Sequence, residues 1–228
     1  MSDVPSSAMI FAAGFGTRMG SLTKSTPKPM LEVSGRPMID HSVNFLREAN
    51  IQKIVANTHY LHDTIAPHLK ALGVEISHEQ REILDTGGGL RAALPLLGDG
   101  PIVTMNPDAA WRGQNPVETL LSHWSSEFDA LLLVVPVERA VERLAPGDFA
   151  LANGSLQRQG DYVYTGLQII RPSLLEPITD RVFSLNRVWD TLIERDALRG
   201  VVYDGDWCDI GHPQGLDAAE TLMSMSDV

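Results

Sequence analysis

Short apolar runs recur along the chain, separated by amphipathic stretches. Ala8-Met9-Ile10-Phe11-Ala12-Ala13 is apolar on both faces, the pattern of a buried parallel strand. Pro37 suits a helix's first turn, and Ile39, Val43 and Leu46 follow at helical spacing. The alternation continues with a strand over 53–57, a helix over 62–72 and a strand over 74–77. After Asp85-Thr86-Gly87-Gly88-Gly89 come a helix over 90–97, a strand over 101–105, a helix over 116–125 and a strand over 130–135. Strands alternating with helices of this length predict an α/β fold: a Rossmann-like, mainly parallel sheet flanked by helices. Beyond Pro136 the rhythm changes. Residues 149–158 predict a hairpin turning at Asn153-Gly154, and 162–170 is again β-rich. A helix over 186–198, a short strand over 201–203 and a helix over 213–223 close the chain. The expectation is one domain, 1–228, with a small β-rich insertion in its second part.

Composition narrows the class. The 228 residues are 43% hydrophobic and 21% charged, enough to bury a sizeable core, which argues against disorder. No apolar run approaches the roughly 18 residues of a membrane span. The polar stretch Met1 to Ser7 is not a signal peptide, so a cytoplasmic location is expected. Lone Cys208 excludes an intramolecular disulfide and a multi-cysteine zinc site. The net charge of -11 disfavours nucleic acid and anionic membranes as partners. It leaves room for a phosphorylated small molecule, provided a few cations gather in one cleft.

Gly14-Phe15-Gly16-Thr17-Arg18 follows the first strand, at the sheet end where open α/β folds bind ligands. Its spacing is neither the dinucleotide fingerprint nor a Walker loop, so on spacing alone an ordinary tight turn is an equal reading. Arg18 can fold over an anion held by the loop. Lys28, between Pro27 and Pro29, sits in a rigid frame that would pre-aim it. His59, His62 and His68 lack a cysteine or carboxylate cluster and read as surface or capping residues. Trp111 could stack on a sugar or base, or equally pack on the core.

Phe11-Ala12-Ala13-Gly14-Phe15-Gly16-Thr17-Arg18-Met19, followed by Thr26-Pro27-Lys28-Pro29-Met30, resembles the signature of sugar-1-phosphate nucleotidyltransferases. The similarity extends to Trp207-Cys208-Asp209-Ile210-Gly211. It is strongest to the compact N-acetylmuramate-1-phosphate uridylyltransferases, which lack a β-helix tail. The resemblance implies a nucleotidyltransferase fold of the GT-A-like kind, with residues 1–136 serving the nucleotide and 137–228 the sugar phosphate. It implies that Ala12, Ala13 and Gly14 hold base and ribose while Gly16, Thr17 and Arg18 cradle phosphates. Lys28 would neutralise the α-phosphate. Thr86, Gly87, Gly88 and Glu82 would lie against the nucleoside, with Gly89 completing the glycine surface. Asp108 and Asp209 would hold Mg²⁺, and Asn106 and Gly166 would approach the acceptor. Two departures stand out. Pro107 replaces the usual glycine before the first aspartate, and no second lysine is present for the sugar phosphate. Ser184 and Arg187 occupy that neighbourhood, and Arg187 could substitute.

The implied reaction moves a nucleoside monophosphate from an NTP, UTP being favoured, to a sugar 1-phosphate. Such transfers need positioning and charge stabilisation rather than a protein nucleophile, which fits the absence of a Ser-His-Asp set. A guanylyl or thymidylyl donor and a non-catalytic sugar-nucleotide-binding subunit remain alternatives. Oligomeric state is not readable from the sequence.

Overall fold

A computed structural model describes residues 3–225; residues 1–2, the start of the polar N-terminal stretch, and 226–228 lie outside them. Fourteen strands and six α-helices are described. The chain starts with β1 (Ser7–Phe11), the small ribbon β2 (Glu32–Val33) and β3 (Arg36–Pro37), and α1 (Met38–Glu48). β4 (Lys53–Thr58), α2 (His62–Ala71), β5 (Glu75–His78) and α3 (Asp85–Leu97) follow. Next come β6 (Ile102–Met105), β7 (Ala109–Arg112), α4 (Pro116–Ser122), β8 (Ala130–Pro136) and β9 (Ala140–Val141). The last part holds β10 (Phe149–Ala152), β11 (Ser155–Arg158), β12 (Tyr162–Ile170), α5 (Asn186–Glu194), β13 (Leu198–Val202), β14 (Asp206–Asp209) and α6 (Pro213–Ser224).

Nine strands form one sheet in the order β10-β11-β13-β8-β12-β6-β1-β4-β5. The expected α/β class holds, and the sheet is mixed. β6-β1-β4-β5 and the β13–β8 pair are parallel, whereas β12 runs antiparallel to both β6 and β8. The hairpin β10–β11 does turn at Asn153-Gly154, where both residues have positive φ (51° and 79°) as a two-residue turn requires. It extends the main sheet rather than forming a separate layer, because β10 and β11 bond onto β12 and β13.

Period-two alternation explains the layers. In β8, Leu131, Leu133 and Val135 face one core, with Ile10, Leu46, Ile65 and Val103. Ala130, Leu132 and Val134 face the other, with Met9, Leu90, Phe149 and Leu192. Helices cover both faces, so β8 is apolar throughout. A third cluster, of Val33, Met38, Ala110, Cys208 and Ile210 with Ala219 and Leu222 of α6, backs the ribbon β7-β14-β9. That ribbon is built from the segments that follow β6, β8 and β13, and Asp209 ends its central strand β14. Among the described residues no helix is long and apolar enough to cross a membrane.

Candidate active site

A cavity of about 320 Å³ opens where β1 and β6 end. Ala12, Ala13, Gly14, Gly16, Thr17 and Arg18 line one side of it. Gly16 has φ +63°, and a Cβ there would meet Lys28 Cβ and Thr23 Cγ2 at 3.0 Å. Both its conformation and its contact with Lys28 therefore require glycine. The loop is anchored from behind by Asn57. Its Oδ1 accepts from the Ala12 amide (2.8 Å) and its Nδ2 donates to Glu79 Oε1 (2.6 Å). Glu79 Oε2 in turn accepts from the Leu84 amide (2.8 Å), so one buried relay ties the glycine loop to the start of α3.

Lys28 is 9% exposed and its ammonium lies 2.5 Å from Asp108 Oδ2. Asp108 faces the cavity although Pro107 precedes it; the chain bends after β6 and enters β7 directly. Asp209 reaches the same place through strand pairing. It sits opposite Ala109 in the β14–β7 register, and the Ile210 amide donates to the Asp108 carbonyl (2.9 Å). A Cβ on Gly211 would lie 2.8 Å from Arg18 Nη1 and 3.1 Å from Asp209 Oδ1, so this glycine leaves room for both. Burial and the neighbouring Asp108 push the Asp209 carboxyl above its usual range, while Lys28, Arg18 and Arg143 pull it back. Arg18, Lys28 and Asp108 thus line one cavity, and Asp209, whose carboxyl feels all three, lies beside it next to Gly211 rather than on its wall.

The structure corrects four other expectations. Gly87 and Gly88 do not present free amides, because both donate to the Phe183 carbonyl (2.9 and 3.0 Å). A Cβ on Gly87 would strike the Phe183 ring at 2.3 Å and one on Gly88 the Arg181 carbonyl oxygen at 2.5 Å, so these glycines serve packing. Gly89 is likewise closed off by Glu79 and Asn57. Glu82 turns outward to Arg181 (2.9 Å), and Ile83 and Asp85 line the cavity instead. Arg187 pairs with Asp180 on the surface and lines neither cavity described here. Thr86 does line the cavity, and its hydroxyl accepts from the Leu185 amide (3.0 Å). Trp111 packs into the core, 6% exposed. His59, His62 and His68 bond to the Glu79 carbonyl, Thr58 and Asp40 respectively. Among the described residues no cluster of three or more metal-ligating side chains forms.

A second cavity, of about 280 Å³, adjoins the first and shares Phe11, Thr86 and Asn106 with it. Gly166 (φ +88°) packs against Asn106, whose amide donates to the Gly166 carbonyl (2.8 Å), so this pair forms the shared wall. Arg143, Asp148, Arg158, Tyr164, Gln168, Ser184, Leu185, Asn186 and Trp189 line the rest. Arg143 bonds to Asp148 (2.7 Å), and its buried Nε has no partner. Its charge is felt by Asp209, whose carboxyl it pulls down. Burial pushes the Tyr164 hydroxyl far above the ordinary phenol range, so it stays protonated. Sequence reasoning missed Arg143, Arg158 and Gln168, which no local motif marks.

The fold and the paired carboxylates beside a glycine loop define a nucleotidyl-transfer architecture. Residues 8–192 match the model of the MobA-like NTP transferase domain, and the chain belongs to that family. Two curated relatives are N-acetylmuramate alpha-1-phosphate uridylyltransferases. That of Caulobacter vibrioides is 34% identical, over 98% of this chain and 99% of its own length. That of Neisseria meningitidis serogroup B is 32% identical, over 94% and 97%. A mannose-1-phosphate guanyltransferase of Gibberella zeae is 29% identical over 90% of this chain and 61% of its own. The inositol-1-phosphate CTP transferase of T. maritima shares the fold with a TM-score of 0.78, 16% identity and full coverage of both chains. The enzyme class read from the signature stands.

Proposed function

We propose that the protein transfers a uridylyl group from UTP to a sugar 1-phosphate, N-acetylmuramate 1-phosphate first among them, releasing pyrophosphate. The observation that carries this reading is the meeting of Arg18, Lys28, Asp108 and Asp209 beside the Gly14–Gly16 loop. The loop and Arg18 would hold the triphosphate, and Lys28 would meet the negative charge that grows on the α-phosphate. An oxygen of the acceptor phosphate attacks the α-phosphorus, the new P–O bond forming as the bond to pyrophosphate breaks. No protein nucleophile is required. Arg143, rather than Arg187, stands where the acceptor phosphate would lie, and its guanidinium suits bidentate binding of phosphate oxygens. Asp108 and Asp209 are hard oxygen donors pressed together and balanced by Lys28, a set that suits Mg²⁺. Bound there, Mg²⁺ would draw charge from the phosphates. Residues 1–136 would serve chiefly the nucleotide and 137–228 the acceptor, in the cytoplasm.

Incubation with Mg²⁺, each NTP in turn and a panel of sugar 1-phosphates, with pyrophosphate measured, tests the reading. Release with UTP and a sugar 1-phosphate is expected. Binding without release across the whole panel would favour a sugar-nucleotide-binding module instead.

A further inference from the structure

Behind the nucleotide cavity runs a chain of buried hydrogen bonds whose direction is fixed at both ends. Glu79 and Asn57 are each 4% exposed. The Ala12 amide only donates, so the Asn57 atom facing it at 2.8 Å is Oδ1. That leaves Nδ2 to donate to Glu79 Oε1 at 2.6 Å. At the other end the Leu84 amide, again only a donor, meets Glu79 Oε2 at 2.8 Å. Donors therefore point inward from both ends, and the links between them close only if one residue accepts on both sides. A carboxylate does so and a primary amide does not. Burying an acid is costly, and an amide of the same shape would avoid that cost, so the acceptor pattern is what requires Glu at this position.

The two ends of the relay belong to different parts of the cavity wall. Ala12 begins the 12–18 segment, whereas Leu84 lies between Ile83 and Asp85, which line the cavity together with Thr86. Glu79 itself does not line it. Its backbone is pinned, because its amide donates to the Thr58 carbonyl (2.8 Å) and its carbonyl accepts from His59 Nδ1 (2.5 Å). Phe15 of the glycine loop packs edge-on against the same His59 ring, with 5.9 Å between centres. Gly89 keeps the space, since a Cβ there would lie 2.7 Å from Glu79 Oε1 and 2.8 Å from Asn57 Nδ2. A donor set against a donor in this relay would be relieved most easily in the irregular connection between β5 and α3. That connection carries Ile83 and leads into Asp85 and Thr86.

We infer that Glu79 is a positioning residue for the nucleotide: through Asn57 and the Leu84 amide it fixes the spacing between the 12–18 and 83–86 segments that close on the NTP. The inference rests on the transfer reading above and deepens it.

The test uses the direction of the bonds. Glu79→Gln keeps the shape but puts a donor against Asn57 or against Leu84, whichever way its amide turns. Asn57→Asp alone sets two carboxylates face to face. Combined, the two substitutions move the acceptor-only residue one link along, and every bond can form again. Calorimetric titration with Mg²⁺ and the NTP that wild type binds best, UTP being expected, reads the effect without an acceptor present. Each single substitution should weaken NTP binding by about fivefold or more, and the double variant should bind at least about fivefold more tightly than the two losses multiplied would allow. Asn57 lines the cavity, but any direct effect of its new charge is common to the single and double variants and drops out of that comparison. In pyrophosphate release the acceptor KM should stay within about twofold of wild type. A smaller loss for Glu79→Gln, or losses that simply multiply, overturns the inference while transfer by the wild type stands. An acceptor KM that rises as far as the NTP affinity falls marks general loosening and overturns it too. If Asn57→Asp does not fold, Glu79→Gln decides alone. Wild type that binds no NTP overturns the transfer reading, and this inference with it.

Discussion

The two adjoining cavities share a wall of Phe11, Thr86 and Asn106 but are built on different terms. The first is a charge-balanced cleft, with Lys28 already on Asp108 and much of its wall contributed by the 12–18 segment. The second is assembled from side chains on β12, α5 and the 143–158 region, and buried nitrogens in it lack partners. The difference suits the ligands proposed for them. A triphosphate can be gripped by amides and cations with little regard to shape, whereas telling one sugar from another takes directed donors in a dry wall.

The largest expected break falls in the first cavity, and its sign separates function from stability. Asp209→Asn should cut turnover by about 10²–10³-fold, the scale at which one charge-stabilising group is lost. Its melting temperature in EDTA should nonetheless rise at neutral pH. Burial and Asp108 hold the carboxyl above its ordinary 3.8, so ionised Asp209 destabilises the native state at neutral pH. Below 3.8 the proton is bound in folded and unfolded chains alike, so the advantage of Asn should fade as pH falls through that range. A variant that loses activity and melting temperature together at pH 7 would make Asp209 a structural residue.

A smaller effect sharpens the boundary between the cavities. Arg143→Gln should raise the KM for the sugar 1-phosphate by about 10- to 100-fold with the KM for UTP unchanged. Loss of UTP affinity instead would move Arg143 to the nucleotide side. Gly16→Ala should cost about 1–3 kcal/mol in urea unfolding, because φ +63° strains an alanine. Its new methyl also meets Lys28 Cβ, so turnover should fall by about tenfold beyond what the lost stability explains. At the low end, Arg187→Gln should leave both KM values within about twofold, since its partner Asp180 lies on the exposed surface. A marked rise in acceptor KM would return Arg187 to the site.

The same contrast explains what the sequence revealed. The glycine loop, Arg18 and Lys28 lie within one short stretch after β1, so they were legible together. Asp108 and Asp209 were legible as residues at strand ends, although their convergence depends on the pairing of β7 with β14, and β7 itself left no periodic signal. Gly87 and Gly88 misled because a run of small residues fits close packing as well as it fits a ligand. What distinguishes the two is the Phe183 carbonyl, almost a hundred positions away, taking their amides. Arg143 and Arg158 resemble any surface arginine until Asp148 and Asp190 fix them, and Gln168 reads as one polar residue in an apolar strand. Most of the longer strands fell close to the expected bounds, but β13 (Leu198–Val202) begins where a helix was expected to end and the short strands β2, β3, β7, β9 and β14 were not expected. Nor was the antiparallel insertion of β12 between β6 and β8, because pairing partners leave no local trace.

Lys28→Ala offers the most direct measurement: single-turnover pyrophosphate release with Mg²⁺, UTP and the sugar 1-phosphate, beside thermal unfolding of the same preparation. If the ammonium stabilises the charge of the transferring phosphate, the rate falls by about 10³-fold while the melting temperature moves by only a few degrees. A rate within about threefold of wild type, or one that falls only in step with lost structure, would contradict the account.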